Sequence, residues 1–146
     1  MGNDVPWQVG PGYRVYPQKL NICTEVLDRH IAEGRADAPA VVWPGGTWSF
    51  SNLQKVVNAF AVKARSYGLG KGDRMIVLGR NSPLSVAAVL AGLKIGAVPV
   101  MLNSLLAEAE IDYIIDNSDA CVAFVPSDGA KALRPHYSTS LPTPEA

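Results

Sequence analysis

The clearest pattern along the chain is an apolar stripe at helical spacing between two small polar stretches. Ser51, with Gln54 three residues later, predicts a capping box at the start of a helix, and Gly68 predicts its end. One face of this helix is expected to be buried. It consists of Leu53, Val56, Val57, Phe60, Ala64 and Tyr67.

Three more helices are predicted, at residues 21–33, 82–95 and 106–116. The first and third show helical spacing, whereas 82–95 is rich in alanine and leucine. Asn21 and Ser82 are the expected N-caps, and Pro83 suits the first helical position because no hydrogen bond is lost there. Gly34 and Gly96 follow two of these helices and predict their C-terminal stops.

Short continuous apolar runs separate the later helices. Residues 75–78, 97–102 and 120–125 are short enough to be buried strands. With the helices between them, they have the order βαβαβ. Helices between consecutive strands imply crossover connections, so we expect an α/β fold with a parallel sheet and flanking helices on both faces.

The pattern also divides the chain into three parts. Residues 1–19 are rich in glycine, proline and aromatic residues and predict an extended arm. Residues 20–128 are expected to form one domain, in which 40–43 and 47–50 make a hairpin around a Pro-Gly-Gly turn. Residues 129–146 predict a disordered or unrelated tail, because serine, threonine and proline replace the apolar pattern.

Charge and composition narrow the function classes. The 146 residues are 48% hydrophobic, and 13 basic residues balance 13 acidic ones. A neutral chain offers no basic field for nucleic acid or anionic lipid, so we expect neither as a partner. No basic start followed by an apolar run marks a signal peptide, which makes the cytoplasm the expected location. Cys23 and Cys121 are far apart and are expected to be buried as small hydrophobic residues.

Glycines and histidines do not form a recognisable cofactor motif. Gly68, Gly70 and Gly72 follow a helix and precede a strand, whereas a dinucleotide fingerprint follows a strand and opens a helix, so a solvated turn is expected. His30 has no ligand-spaced Cys or second His, and its place near a helix C-terminus favours an interaction with the helix dipole. His136 likewise lacks ligand partners.

The remaining polar residues identify no catalytic, cofactor-binding or metal-binding residue. The acidic residues between 108 and 119 fit the solvent face of a short helix. Asn81 and Ser82 follow the first strand of the predicted sheet, where ligands of α/β proteins bind, and are candidates for lining a pocket. A helix cap is the simpler role for Ser82.

Several segments resemble one known enzyme family. The run Leu-Asp-Arg-His-Ile-Ala-Glu-Gly-Arg-Ala-Asp at 27–37 resembles the start of benzoate and 2-aminobenzoate coenzyme A ligases. Gly-Thr-Trp-Ser-Phe at 46–50, the segment 68–75 and Leu-Lys-Ile-Gly-Ala at 93–97 are similar to motifs of the wider adenylate-forming superfamily. The resemblance covers about residues 16–128.

This resemblance implies a part of the large N-terminal domain of that fold. In the family, a carboxylic acid reacts with ATP and Mg²⁺ to give an acyl-adenylate and pyrophosphate, and coenzyme A then displaces AMP. The motifs that bind ATP and metal and the catalytic lysine lie further downstream in the family and have no match here. The chain is therefore expected to be a truncated, frameshifted or deliberately cut piece that binds no cofactor and is inactive alone.

Two other functions remain open. The chain can be a stand-alone α/β binding or interaction domain, or a fragment of a peptide-synthetase adenylation domain. The sequence at 27–30 argues against the latter. In each case the sheet is expected to have an open apolar edge, which predicts self-association or folding that needs a missing remainder.

Overall fold

The computed structural model describes residues 19–125 of the chain. The predicted arm, apart from Lys19, and the predicted tail lie outside these residues. A π-helical segment at Thr24–Asp28 is followed by α1. The elements are α1 (Arg29–Ala32), β1 (Pro39–Trp43), β2 (Gly46–Ser49), α2 (Phe50–Ser66), β3 (Arg74–Leu78), α3 (Pro83–Lys94), β4 (Val98–Leu102), α4 (Glu108–Ser118) and β5 (Ala120–Phe124).

A parallel sheet of three strands carries the fold, in the order β4-β3-β5. This confirms the predicted βαβαβ arrangement. Side chains of α2 and α3 pack with Met75 and Val77 of β3, whereas those of α4 pack with Ile76 and Leu78. Because neighbouring residues of a strand point to opposite faces, α2 and α3 cover one face of the sheet and α4 covers the other.

All three predicted strands are present, but one is less buried than predicted. Both β4 and β5 are edges of the described sheet; β5 is mostly buried, whereas in β4 Val98 is 49% exposed and Met101 65% exposed. Pro99 lies within β4. Proline cannot donate a ladder hydrogen bond, so its presence is typical of an edge strand. Strand order is a tertiary property, and the apolar composition of this run did not reveal it.

The hairpin is confirmed and stands apart from the sheet. Strands β1 and β2 pair antiparallel, with Trp43 opposite Gly46. The indole rings of Trp43 and Trp48 lie edge to face at 5.6 Å between centroids. Trp48 also packs against the core on the α2–α3 side of the sheet. The hairpin therefore leads directly into α2 and is held by the same core.

The predicted start of α2 is two residues too late. The N-cap is Ser49, whose Oγ accepts a hydrogen bond from the backbone N–H of Asn52 at 3.3 Å. Ser51 lies in the first turn, and its backbone N–H donates to the carbonyl of Ala36 at 2.9 Å. The preceding loop thus satisfies a free N–H of the helix, which the spacing of Ser51 and Gln54 did not indicate.

The predicted glycine stops are confirmed. Gly34, Gly68 and Gly96 all have a left-handed backbone, with φ of 80°, 87° and 80°. After α2, the N–H of Leu69 donates to the carbonyl of Ala64 and that of Gly68 to Arg65. This pair of bonds is the Schellman motif, which satisfies the last carbonyls of the helix.

The two cysteines differ, contrary to the expectation that both are buried. Cys23 is fully buried, but Cys121 is exposed. The register of β5 shifts between the partners of Arg74 and Met75, leaving Cys121 as an extra residue on this edge strand. Such an irregularity turns the side chain out of the regular alternation.

None of the helices in the described part of the chain is both long and apolar enough to cross a membrane.

Candidate functional site

A cleft of about 510 Å³ opens at the carboxyl ends of β3 and β4, beside the N-terminus of α3. Its lining is mixed. Val77, Met101 and Leu102 are apolar, and Arg80, Asn81, Ser85, Asn103 and Ser104 are polar. In parallel α/β sheets, ligands bind in crevices outside the carboxyl ends of the strands, which makes this cleft the candidate site.

Ser85, in the first turn of α3, lines one wall of the cleft and is hydrogen-bonded to the capping residue Ser82. Ser82 has an extended backbone and its Oγ accepts a hydrogen bond from the N–H of Ser85 at 3.1 Å. The hydroxyl of Ser85 is hydrogen-bonded to the carbonyl of Arg80 at 2.9 Å and lies 2.9 Å from Ser82 Oγ. These bonds hold the loop between β3 and α3 in one conformation.

The two predicted pocket residues have different places. Asn81 lines the cleft and is exposed, whereas Ser82 caps α3. The sequence analysis did not identify Arg80, Asn103 or Ser104. The reasoning that selected Asn81 applies equally to Asn103, since Asn103 follows β4 as Asn81 follows β3. Treating the two strand ends together would have found it.

The opposite wall is the turn after β4. Asn103 Oδ1 accepts a hydrogen bond from the N–H of Leu105 at 2.9 Å, and the N–H of Leu106 donates to the carbonyl of Asn103 at 3.2 Å. The side chain of Leu105 is 82% exposed at the mouth of the cleft. Among the residues that line this cleft, Arg80 carries the single formal charge, so the site is neutral to weakly basic.

The glycine-rich segment lies away from the cleft, between α2 and β3, as predicted for a turn. The N–H of Gly70 donates to Asp73 Oδ2 at 2.7 Å, and the N–H of Gly72 donates to the carbonyl of Gly96 at 2.9 Å. The segment is thereby tied to the turn before β4. Its N–H groups serve internal bonds and do not form a cradle for phosphate.

His30 is part of a surface cluster at the end of α1. Its ring stacks on Phe50 at 4.3 Å between centroids, and Nδ1 accepts a hydrogen bond from Arg35 Nε at 3.0 Å. It therefore contacts a ring and a guanidinium instead of a free helix end. Hydrogen bonds from Arg29 and Arg35 lower the pKa of the nearby Glu33 carboxyl. These mutual contacts account for the positions of His30, Arg35 and Glu33.

The chemistry of the described residues does not fit a metal ion. Across residues 19–125 there is no group of three or more His, Cys, Asp or Glu side chains able to hold one. Among the acidic side chains of α4, Glu110 has a local role: its Oε2 accepts a hydrogen bond from the N–H of Ala107 at 2.8 Å at the start of the helix.

Comparison with known proteins identifies one family. The family model described as "AMP-binding enzyme" matches residues 28–144. A 3-hydroxybenzoate–CoA ligase of Aromatoleum sp. (strain CIB) is 33% identical over 111 residues, which are 76% of this chain and 21% of that ligase. An acetyl-coenzyme A synthetase of Magnetococcus marinus is 32% identical over 136 residues, 84% of this chain and 21% of that enzyme.

Solved structures show the same fold. An anthranilate CoA ligase in complex with anthranoyl-AMP superposes with a TM-score of 0.75 at 24% identity, over 81% of this chain and 22% of that structure. A benzoate CoA ligase from Burkholderia xenovorans LB400 gives a TM-score of 0.72 at 22% identity, over 79% and 23%. The chain thus spans about one fifth of the length of these proteins.

Proposed function

The chain belongs to the AMP-binding enzyme family, and from this membership we propose that it forms part of an AMP-forming acid–coenzyme A ligase. The complete reaction would convert ATP, a carboxylic acid and coenzyme A to acyl-coenzyme A, AMP and pyrophosphate, with Mg²⁺ as the metal. The observation that carries this proposal is the family match, which runs through the whole sheet and both of its helical layers. A cytoplasmic location is part of the proposal, because the reaction consumes ATP and coenzyme A.

We propose an aromatic acid, such as benzoate or 2-aminobenzoate, as the substrate of the full-length enzyme. Support comes from the hydroxybenzoate ligase relative and from the benzoate and anthranilate ligases among the structures with this fold. Acetyl-coenzyme A synthetases have comparable identity, so acetate is the competing substrate.

The described residues are proposed to act as scaffold, with no step of the reaction assigned to them. They offer no ligand set for Mg²⁺, and their glycine turn is occupied by internal hydrogen bonds. Asn81 is proposed to line the wall of the cleft beside α3. By this proposal the chain by itself binds no cofactor and does not turn over substrate.

The first experiment measures pyrophosphate release by the purified 146-residue chain with ATP, Mg²⁺ and coenzyme A. Benzoate, 3-hydroxybenzoate, 2-aminobenzoate and acetate are tested separately. We expect no release above background, while the Aromatoleum ligase is active under the same conditions. Formation of acyl-AMP by this chain alone would refute the scaffold role.

The second experiment tests membership in a longer enzyme. Sequencing of the DNA beyond codon 146 should reveal, in any frame, a Ser/Thr/Gly-rich loop of the type that binds ATP phosphates. If none is encoded there, a stand-alone binding domain becomes the better explanation. Calorimetric titration of the chain with ATP and with benzoate, at two temperatures, then tests this explanation, because a saturable heat with either ligand would support a stand-alone binding domain.

A further inference from the structure

The N-terminal helical segment, residues 21–33, lies across the α2–α3 layer as a strap. Its apolar attachment is small. Within the strap, Cys23 and Leu27 are fully buried against the core, whereas Ile22 is 52% exposed and Val26 45% exposed. The apolar attachment of the strap therefore rests on two fully buried side chains.

Polar side chains provide the rest of the attachment. At one end of the strap, Asn21 Nδ2 donates hydrogen bonds to the carbonyls of Leu93 and Lys94, 2.9 and 3.1 Å away, at the C-terminus of α3. In its middle, the Asp28 carboxylate accepts hydrogen bonds from Lys94 Nζ at 2.9 Å and from Gln54 Nε2 at 2.7 Å. We call the side chains of Asp28, Gln54 and Lys94 the latch. It joins the strap to both helices beneath it.

The backbone of the strap contains a local irregularity. Residues Thr24–Asp28 have π-helical hydrogen bonding, which is rare and less favourable than an α-helix of the same length. On its C-terminal side the chain is anchored by backbone bonds. The carbonyls of Ala36 and Ala38 accept from the N–H groups of Ser51 and Phe50 at 2.9 and 3.1 Å. Between strap and anchor, Gly34 has φ of 80° and open space around its Cα.

We propose that the strap opens as one local unit, hinged at Gly34 and Arg35, while the α2–α3 layer and the sheet stay folded, and that the latch sets how often it opens. Regions with few buried apolar contacts open at lower free energy than the whole domain. Opening breaks the latch, the Asn21 bonds and the stack of His30 on Phe50. It exposes the thiol of Cys23 and the apolar surface that the strap covers. This proposal does not depend on the proposed ligase activity.

The two cysteines make the opening measurable in the full chain. In the closed state, burial and the charge of Asp28 raise the pKa of the Cys23 thiol to about 11, so that it is both shielded and protonated. Replacing the exposed Cys121 with Ser leaves Cys23 as the single thiol. Its reaction with a coloured thiol–disulfide exchange reagent then reports opening.

The experiment compares the denaturant dependence of Cys23 labelling with that of global unfolding, followed by circular dichroism. Local opening exposes little surface, so the labelling rate should rise only weakly with urea concentration. The fraction of globally unfolded chain should rise steeply over the same range. Lys94→Met should accelerate labelling about tenfold, because a hydrogen bond between charged groups contributes about 1.5 kcal/mol or more. Lys55→Met, which removes an exposed lysine from α2, is the matched control and should leave the rate unchanged.

Two outcomes would overturn the proposal. One is a labelling rate in the Cys121→Ser chain with the full denaturant dependence of global unfolding, since Cys23 would then become accessible only when everything unfolds. The other is equal acceleration by Lys94→Met and Lys55→Met. The first measurement needs no latch variant, so it decides the question even if Lys94→Met fails to fold.

Discussion

Asp28 and Lys94 are 66 positions apart in sequence and form an ion pair, with Lys94 Nζ 2.9 and 3.1 Å from the two carboxylate oxygens of Asp28. Each residue belongs to a segment that resembles the adenylate-forming enzymes, Asp28 to the run at 27–37 and Lys94 to that at 93–97. Both side chains are 27% exposed. Two motifs that are separate along the chain are therefore one contact in the folded protein.

A double-mutant cycle should detect this contact. We expect Asp28→Asn and Lys94→Met each to lower the free energy of unfolding, with a coupling energy of about 1 kcal/mol, because partial burial reduces solvent screening of the pair. Urea unfolding of the wild type, the two single variants and the double variant provides the measurement. A coupling energy near zero would mean that the pair is as weak as an ordinary surface ion pair.

The capping residue of α2 is open to a direct test. Ser49→Ala should lower stability by about 1 kcal/mol, because the N–H of Asn52 loses its hydrogen-bond acceptor. Ser51→Ala should change stability by less than about 0.5 kcal/mol, since Ser51 is bound through its backbone and alanine is a better helix former. Thermal and urea unfolding of both variants compare the two sites. A larger loss of stability in Ser51→Ala than in Ser49→Ala would support the helix start at Ser51 that the sequence predicted.

Alkaline pH should weaken the fold through Cys23. Burial, with a smaller effect of Asp28, raises the pKa of its thiol from 9.0 to about 11 in the folded chain. As pH rises, the unfolded chain loses this proton first, so the stabilisation is complete below pH 9 and is lost between 9 and about 11. Other groups also titrate there, and therefore the informative quantity is the difference between wild type and Cys23→Ala.

That difference should decline as pH rises through this range, as measured by urea unfolding at each pH. Cys121→Ala is the control, because the thiol of Cys121 is exposed and not buried in the folded chain. Its profile should run parallel to that of the wild type. If Cys23→Ala and the wild type lose stability in parallel, burial of the thiol is not what weakens the fold at high pH.

Self-association should depend on the exposed edge at β4. Met101 and Leu105 present apolar side chains there, 65% and 82% exposed, beside backbone groups that lack a partner strand among the described residues. Met101→Lys combined with Leu105→Asp should shift the chain toward monomer in sedimentation velocity while leaving its circular dichroism unchanged. Val62→Lys, which alters an equally exposed position on α2, should not. Identical sedimentation of both variants would place the association elsewhere.

Local features could be predicted from the sequence wherever the residues that produce them lie in one short segment. The stops at Gly34, Gly68 and Gly96 were found because a left-handed residue after a helix needs glycine. The cap at Ser82 was found because Pro83 suits the first helical turn. The cap of α2 was missed because the loop at Ala36 and Ala38 competes for its N–H groups. That competition involves residues more than ten positions away.

Only part of the candidate site could be predicted from the sequence, for a similar reason. Asn81 was selected because it follows a predicted strand, but Asn103 and Arg80 joined it only when the order of strands was known. Strand order also decided that β4 is an edge, and the register shift of β5 decided that Cys121 is exposed. An apolar run predicts a strand without indicating its neighbours.

By itself, the sequence determined the order of the helices and strands, the parallel α/β class and the likeness to the adenylate-forming enzymes. The hydrophobic period and the residue preferences of turns act over a few residues, and therefore they can be identified from the sequence alone. Tertiary structure decided which strand is central, which cysteine is buried and that Asp28 meets Lys94. These features depend on the free energy of packing segments that are distant in sequence, and no local pattern of residues indicates that free energy.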